Sequence, residues 1–99
     1  MRQINIPNEL IRQFCRHNQI RRLALFGSVL RSDFNAASDI DILVEFLPES
    51  QVGMLGLARM QRELTEILGG RTVDLRTPAE LSRYFREDVI RAAEVCYEA

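Results

Sequence analysis

The spacing of apolar side chains changes along the chain, and these changes predict three longer helices. Helical spacing runs from Asn8 to His17 and again from Val52 to Leu68, where Gly69-Gly70 ends the second helix. A last helix is predicted to begin at Thr77-Pro78, because proline suits the first turn of a helix. Its predicted apolar stripe comprises Leu81, Phe85, Val89, Ile90, Ala93 and Tyr97.

Three short segments are typical of strands: 21–27, 39–46 and 71–77. A short helix capped by Ser28 is predicted at 28–32, and a loop at 33–37 joins it to the second strand. Alternating strands and helices predict an α/β (α+β) fold with a small mixed β-sheet flanked by helices. A chain of 99 residues is expected to form one domain, spanning 1–99.

Composition removes several classes of function. The net charge of −1 gives no reason to expect direct nucleic-acid binding, and His17 alone cannot build a paired-histidine site. Because lysine is absent, a P-loop or a Schiff-base mechanism is excluded. Cys15 and Cys96 have no metal or redox spacing and are interpreted as ordinary thiols, and Tyr84 and Tyr97 as packing residues.

Membrane and export signals are also missing from the pattern. No apolar run approaches the roughly 18 residues that a membrane span needs. The N-terminal residues MRQINIPNEL lack the basic and apolar regions of a signal peptide. We therefore expect a cytoplasmic protein.

The second predicted strand carries two carboxylates where a core strand would not need them. Because side chains alternate between the faces of a strand, Ile40 and Ile42 share an apolar face, and Asp39 and Asp41 lie side by side on the other. Paired like charges favour a divalent cation between them, and hard oxygen ligands select Mg²⁺ or Mn²⁺. Asp74 alternates in the same way in the third predicted strand. If the two strands are neighbours, three carboxylates converge and can hold two metal ions for phosphoryl chemistry.

The residues before this strand are suited to phosphate. Gly27 allows a phosphate to approach the backbone closely, Ser28 offers a hydroxyl at a predicted helix N-terminus, and Arg31 follows one turn later. Arg31 can pair with a phosphate or with Asp33. Each feature alone has an ordinary structural explanation: a common turn, a solvated strand end or a surface ion pair.

Gly27-Ser28, a spacer of ten residues (29–38), and Asp39-Ile40-Asp41 together resemble the signature of the nucleotidyltransferase fold of the DNA polymerase beta superfamily. The stretch FGSVLRSDFNAASDIDILVEF and the later VDL strand resemble the minimal nucleotidyltransferase (MNT) group in particular. The resemblance covers nearly the whole chain. One departure is Arg31-Ser32-Asp33, where many members of this group have Arg-Gly-Asp or Arg-Gly-Glu.

The resemblance implies a site and a cofactor. Asp39, Asp41 and Asp74 would be the catalytic residues and the ligands of magnesium, with two ions expected and manganese as an alternative. Asp74 would also help to deprotonate the acceptor. Gly27 and Ser28 would hold the triphosphate of ATP, and Arg31 is a further candidate for nucleotide binding.

The resemblance also implies a role. Members of this group commonly act as antitoxins beside an all-helical HEPN ribonuclease toxin and resemble enzymes that transfer AMP from ATP to a tyrosine of that toxin. The chain has no predicted acceptor-binding domain, so a second macromolecule is expected to present the hydroxyl. Its predicted docking surface comprises Met54, Leu55, Leu57 and Met60. The alternatives are a non-catalytic antitoxin that acts by complex formation, or a nucleotidyltransferase for a small molecule or RNA.

Overall fold

The computed structural model describes residues 4–32, 34–35 and 37–99, and for Ser28 it describes the main chain alone. The described residues form, in order, α1 (Asn8–His17), β1 (Ile20–Phe26), a 3₁₀ turn (Gly27–Leu30), β2 (Ile40–Phe46), α2 (Met54–Ile67), β3 (Val73–Arg76), a second 3₁₀ turn (Pro78–Glu80), α3 (Arg86–Ala92) and β4 (Glu94–Glu98). The first two predicted helices and the three predicted strands are confirmed, with small shifts at their ends.

The four strands form one mixed sheet in the order β3-β2-β1-β4. β1 runs antiparallel to both β2 and β4, whereas β2 and β3 are parallel. A parallel pair needs a crossover connection, which α2 supplies. The side-chain amide oxygen of Gln61 in α2 accepts a hydrogen bond from the Leu75 N–H (3.0 Å), which ties the crossover helix to β3. The predicted α/β fold with a mixed sheet is confirmed.

One face of the sheet carries the main hydrophobic core. Ile40, Ile42 and Val44 of β2 are 0%, 2% and 0% exposed, so the predicted apolar face of this strand is confirmed. The two longer helices cover that face. They contribute to the same hydrophobic core Ile11, Phe14 and Cys15 from α1, and Met60 and Leu64 from α2. The opposite face of β2 carries Asp41, which is half-buried, and Leu43, which is buried.

The prediction of one continuous C-terminal helix was wrong. Thr77-Pro78 begins only a 3₁₀ turn, in which the Thr77 N–H and hydroxyl both donate to Oε1 of Glu80 (2.9 and 3.2 Å). The chain is extended at Leu81, and the Ser82 hydroxyl accepts a hydrogen bond from the Tyr84 N–H (3.3 Å). Such a local side-chain bond competes with helix formation. The helix resumes only as α3.

The last residues form a fourth strand that the sequence analysis missed. β4 pairs with β1, whose backbone N–H and C=O groups would otherwise lack partners on that side. Val95, Cys96 and Tyr97 suit a half-buried strand, yet a short apolar segment of this kind does not distinguish helix from strand by its spacing. Tyr97 packs against the core as predicted, but from a strand.

Several smaller predictions also have clear outcomes. Tyr84 is 82% exposed, so its interpretation as a packing residue was wrong. In the predicted docking surface, Met54 and Leu55 are 87% and 88% exposed, whereas Met60 belongs to the core. Both cysteines are free thiols. Within the described ranges, no helix has the length and hydrophobicity needed to cross a membrane.

Candidate functional site

A row of three residues crosses the sheet where β1 ends and β2 and β3 begin. Asp41 is the register partner of Phe26 on the β1 side and of Asp74 on the β3 side. Register partners on neighbouring strands have their side chains on the same face, about 5 Å apart at Cβ. The carboxylates of Asp41 and Asp74 can meet only if β2 and β3 are neighbouring strands. The parallel pairing fulfils that condition for Asp41 and Asp74.

Gly27 joins the first 3₁₀ turn to the row Phe26–Asp41–Asp74. It follows Phe26 directly and has a φ of +72°, the left-handed region that favours glycine. A Cβ at position 27 would collide with Oδ2 of Asp41 and lie 3.2 Å from its Cγ. Only glycine therefore permits this close approach. The two ends of the predicted nucleotide site are in direct contact.

Asp74 is held by an arginine two residues further along β3. Nε of Arg76 lies 3.1 Å from Oδ1 of Asp74, and its Nη2 donates a hydrogen bond to Oδ2 (3.3 Å). A guanidinium on both oxygens fixes the orientation of the carboxylate. The pair is partly exposed, with side-chain accessibilities of 46% and 39%, so it contributes little to stability. Arg76 thus orients Asp74 at the open end of the sheet.

Asp39 is exposed and lies just before β2, because regular pairing begins at the next residue, where the Ile40 N–H donates to the Thr72 carbonyl (2.8 Å). Arg71, which lies just before β3, binds the preceding spacer (29–38) by hydrogen bonds. Its Nη2 donates to the carbonyl oxygens of Asn35 (3.0 Å) and Ser38 (3.1 Å), and its guanidinium lies 4.9 Å from the centre of the Phe34 ring. Arg71 therefore sets where the chain enters β2 at Asp39.

The carboxylate oxygens of Asp41 and Asp74 are the type of donor that a hard cation binds. Asp41 and Asp74 supply carboxylate oxygens on one face, which is the ligand type that magnesium and manganese prefer. In the part of the chain that the structure describes, no three His, Cys, Asp or Glu side chains are gathered closely enough to hold a metal ion. The register of β2 and β3 and their shared cleft bring Asp41 and Asp74 together.

The turn that was predicted to bind phosphate differs from its prediction in structure. It is a single 3₁₀ turn that begins at Gly27, so Ser28 lies within it and is not the cap of a helix. The side chain of Ser28 and all of Asp33 lie outside the described residues. Arg31 does not line the cleft that holds Asp41 and Asp74 but lines a neighbouring one, together with Gly27.

Asp41 and Asp74 lie in a cleft that we call the acidic cleft, and the segment between β3 and α3 forms one wall of it. Glu80, Leu81, Ser82 and Phe85 line this cleft of about 210 Å³ with Phe26, Asp41, Asp74 and Arg76. Arg86 at the start of α3 holds the wall in place, because its Nη2 donates to the Leu81 carbonyl (2.9 Å). The exposed aromatic rings of Tyr84 and Phe85 belong to the same segment.

Three contributors to the site were missed by the sequence analysis. Phe26 looked like the end of a core strand, and only the register shows that it stands beside Asp41. Arg76 had a readable signal, since it lies two residues after Asp74 and so shares its face. Arg71 had none, because its contacts with the spacer join residues far apart in sequence.

Solved structures with similar folds contain nucleotides and partner proteins. A chain of a toxin–antitoxin crystal structure with AMP-PNP superposes with a TM-score of 0.73 at 21% identity, covering 95% of this chain and 75% of that one. A second structure, of the tri-AMPylated Shewanella oneidensis HEPN toxin in complex with MNT antitoxin, gives a TM-score of 0.64 at 20% identity, covering 93% and 70%. At these identities the likeness concerns the fold.

Sequence comparison identifies the family. The chain is 33% identical over 88 residues to the "Putative protein adenylyltransferase MJ0435" of Methanocaldococcus jannaschii, a match that covers 89% of this chain and 90% of that protein. The model of the nucleotidyltransferase domain family matches residues 7–96. These residues include the whole site described above. The chain therefore belongs to the nucleotidyltransferase domain family and is a nucleotidyltransferase.

Proposed function

We propose that this protein is a cytoplasmic, magnesium-dependent protein adenylyltransferase, which transfers AMP from ATP to a tyrosine hydroxyl of a cognate HEPN ribonuclease toxin and so acts as its antitoxin. The observation that carries the proposal is the row Phe26–Asp41–Asp74, with Gly27 packed against the Asp41 carboxylate. This arrangement puts two carboxylates and a glycine turn at one point, and metal ions held by carboxylates are a common means of stabilising phosphoryl transfer.

The residues have separate roles in this proposal. Asp39, Asp41 and Asp74 would hold magnesium, which supplies positive charge for the triphosphate and the attacking oxygen. The Gly27 turn would receive the triphosphate at its backbone, with Ser28 and Arg31 as further contacts. Asp74 faces the open cleft and would accept the proton of the acceptor hydroxyl.

The reaction itself is a displacement at the α-phosphorus of ATP. The tyrosine oxygen forms a bond to that phosphorus, and the bond between the α-phosphorus and the bridging oxygen breaks. Pyrophosphate leaves with the electron pair, and the phenolic proton passes to Asp74. The products are an AMP–tyrosine ester and pyrophosphate, so no further reactant is needed.

Two features support a protein as the acceptor. The relative from Methanocaldococcus jannaschii carries the name of a protein adenylyltransferase, and the Shewanella oneidensis complex contains an AMPylated HEPN toxin. In this chain, Phe85 (52% exposed) lines the acidic cleft, Tyr84 (82% exposed) directly precedes it in sequence, and Met54 and Leu55 are exposed at the start of α2. Exposed aromatic side chains beside a reaction cleft suit a protein surface.

The test uses the chain, ATP labelled at the α-phosphate, magnesium and the protein encoded beside it. We expect label on a tyrosine of the neighbour, lost on chelation and in the Asp39→Ala/Asp41→Ala double variant. If the double variant labels the neighbour as well as the native chain does, the proposal is wrong. If the double variant labels nothing yet still protects cells from the neighbour, antitoxin action is by complex formation, and the proposal that AMP transfer neutralises the toxin is refuted.

A further inference from the structure

Phe26 lines two separate clefts. The acidic cleft, already described, contains Asp41 and Asp74. The second, which we call the apolar cleft, has a volume of about 440 Å³ and lies between the first 3₁₀ turn and α3. Besides Phe26 it is lined by Gly27, Leu30, Arg31, Asp88, Val89 and Ala92. Gly27 thus belongs to the apolar cleft and, through its contact with Asp41, borders the acidic one.

The walls of the apolar cleft are hydrocarbon. Phe26, Leu30 and Val89 are each half-buried, so they present apolar surface that the fold leaves partly uncovered. The charged groups among its described lining residues are Arg31 and Asp88. Asp88 pairs with Arg91 at 3.7 Å, but both side chains are about three-quarters exposed (77% and 75%), so this ion pair holds the carboxylate weakly.

A flat aromatic ring suits such a cleft. The faces of a nucleobase are apolar, and bases gain about 1–3 kcal/mol from stacking on aromatic side chains in proteins. Clefts that bind small ligands are mostly apolar, with a few polar groups at defined positions. A triphosphate at the Gly27 turn would carry its sugar and base with it, and the apolar cleft begins at that turn.

We propose that the base and ribose of the substrate nucleotide occupy the apolar cleft, and that the acceptor hydroxyl enters through the acidic cleft. This inference rests on the proposed function, because it assumes a triphosphate at Gly27. The assignment follows from Asp74, which would take the acceptor proton and which lines the acidic cleft but not the apolar one. The two substrates then meet where Gly27 touches Asp41, and Phe26 lines both of their clefts.

The lining also determines the kind of selectivity. Because its walls are hydrocarbon, the apolar cleft recognises a ring by its area and shape, and such pockets discriminate only weakly between similar ligands. We therefore expect purine nucleotides to bind more tightly than pyrimidine nucleotides, since the larger ring buries more surface. A base-free triphosphate would bind through the Gly27 turn alone.

Filling the cleft tests the proposal. Ala92→Trp puts an indole into it from α3, and Ala58→Trp is a matched control, because Ala58 is also an exposed helical alanine but lies on α2. Binding of ATP and of inorganic tripolyphosphate, each with magnesium, is measured by calorimetry. We expect Ala92→Trp to weaken ATP binding at least about tenfold and to leave tripolyphosphate binding within about twofold of the native value. Ala58→Trp should change neither.

A second measurement on the native chain keeps the proposal testable if Ala92→Trp fails to fold. In NMR spectra of the ATP complex, the base protons should show contacts with the methyl groups of Leu30, Val89 and Ala92. Contacts of the base protons with Leu81 instead would overturn this inference, and so would native ATP affinity in a folded Ala92→Trp variant. In either case, AMP transfer by the native chain would still support the proposed function. Base contacts with the apolar cleft in a chain that transfers no AMP would support the inference and refute the proposed function.

Discussion

The carboxylate of Asp41 lies against Gly27, so closely that a methyl group at position 27 would collide with Oδ2. The contact follows from the antiparallel register, which pairs Asp41 with Phe26 and brings the next residue of the chain beside it. Gly27 has a positive φ as well, so backbone conformation and space both require glycine. One residue thus joins the turn that would bind phosphate to the strand that would bind metal.

Gly27→Ala is expected to abolish nucleotide transfer. The substitution costs about 1–2 kcal/mol of backbone strain, as in any left-handed position, and also displaces the Asp41 carboxylate. The measurement combines urea unfolding with the rate of AMP transfer. Gly69→Ala is the matched control, because Gly69 has a φ of +79° but nothing near its Cβ position. It should lose similar stability and keep its activity, and equal activities in the two variants would contradict the role assigned to the Gly27–Asp41 contact.

Arg76→Ala is expected to tighten binding of manganese. The guanidinium lies on both oxygens of Asp74 and therefore competes with a cation for the same carboxylate. An exposed pair is worth about 1 kcal/mol at most, which corresponds to an increase in affinity of up to about fivefold. Manganese titration followed by electron paramagnetic resonance measures the change directly.

Arg12→Ala is the control for this titration. Arg12 forms an ion pair with Glu9 at 3.0 Å, but on α1, away from the cleft. The variant has the same change in net charge and should leave the manganese affinity unchanged. Weaker manganese binding in Arg76→Ala than in Arg12→Ala would show that Arg76 supports the cation site and does not compete with it.

Arg71→Ala is expected to loosen the spacer that leads to Asp39. It removes two hydrogen bonds to the carbonyls of Asn35 and Ser38, and a bond from a charged donor is worth about 1.5–3 kcal/mol. Protease cleavage within 31–38 should accelerate, and transfer should slow. Arg62→Ala, an exposed arginine on α2, provides the comparison. Unchanged cleavage in Arg71→Ala would mean that other contacts hold the spacer.

Cys15 is expected to make stability fall at alkaline pH. Burial, with a smaller contribution from nearby Cys96, raises the pKa of the Cys15 thiol from 9.0 to about 12. The unfolded chain therefore releases this proton first, so the stabilisation from the neutral thiol is complete below pH 9 and is lost as pH rises from 9 towards 12. Urea midpoints at rising pH should decline more steeply for the native chain than for Cys15→Ala. Parallel declines would refute the assignment.

The sequence was sufficient to predict the site's main parts because their signals are local. Alternation within β2 separates Asp41 from Ile40 and Ile42, and the structure keeps that separation. That Asp74 lies beside Asp41 could be predicted only on the condition that β2 and β3 pair, since the order of strands in a sheet depends on contacts between distant segments. The roles of Asp39, Asp41 and Asp74 as metal ligands remain predictions.

The C-terminal region shows where sequence patterns become ambiguous. From Leu81 to Tyr97, apolar residues have helical spacing, but β1 had an edge to be paired and Val95 to Tyr97 suit a strand. The Ser82 hydroxyl bond and the extended Leu81 also interrupt the helix, and neither follows from periodicity. As a result, the wall of the acidic cleft and the apolar cleft could not be predicted.

The most direct test of the central claim is AMP transfer to the protein encoded beside this chain, measured with ATP labelled at the α-phosphate. The account predicts magnesium-dependent label on a tyrosine of that protein from the native chain. It predicts none from Asp41→Asn or Asp74→Asn, which keep the size of each side chain and remove its charge. Label that persists in both variants, or that is absent with the native chain and magnesium, would contradict the account.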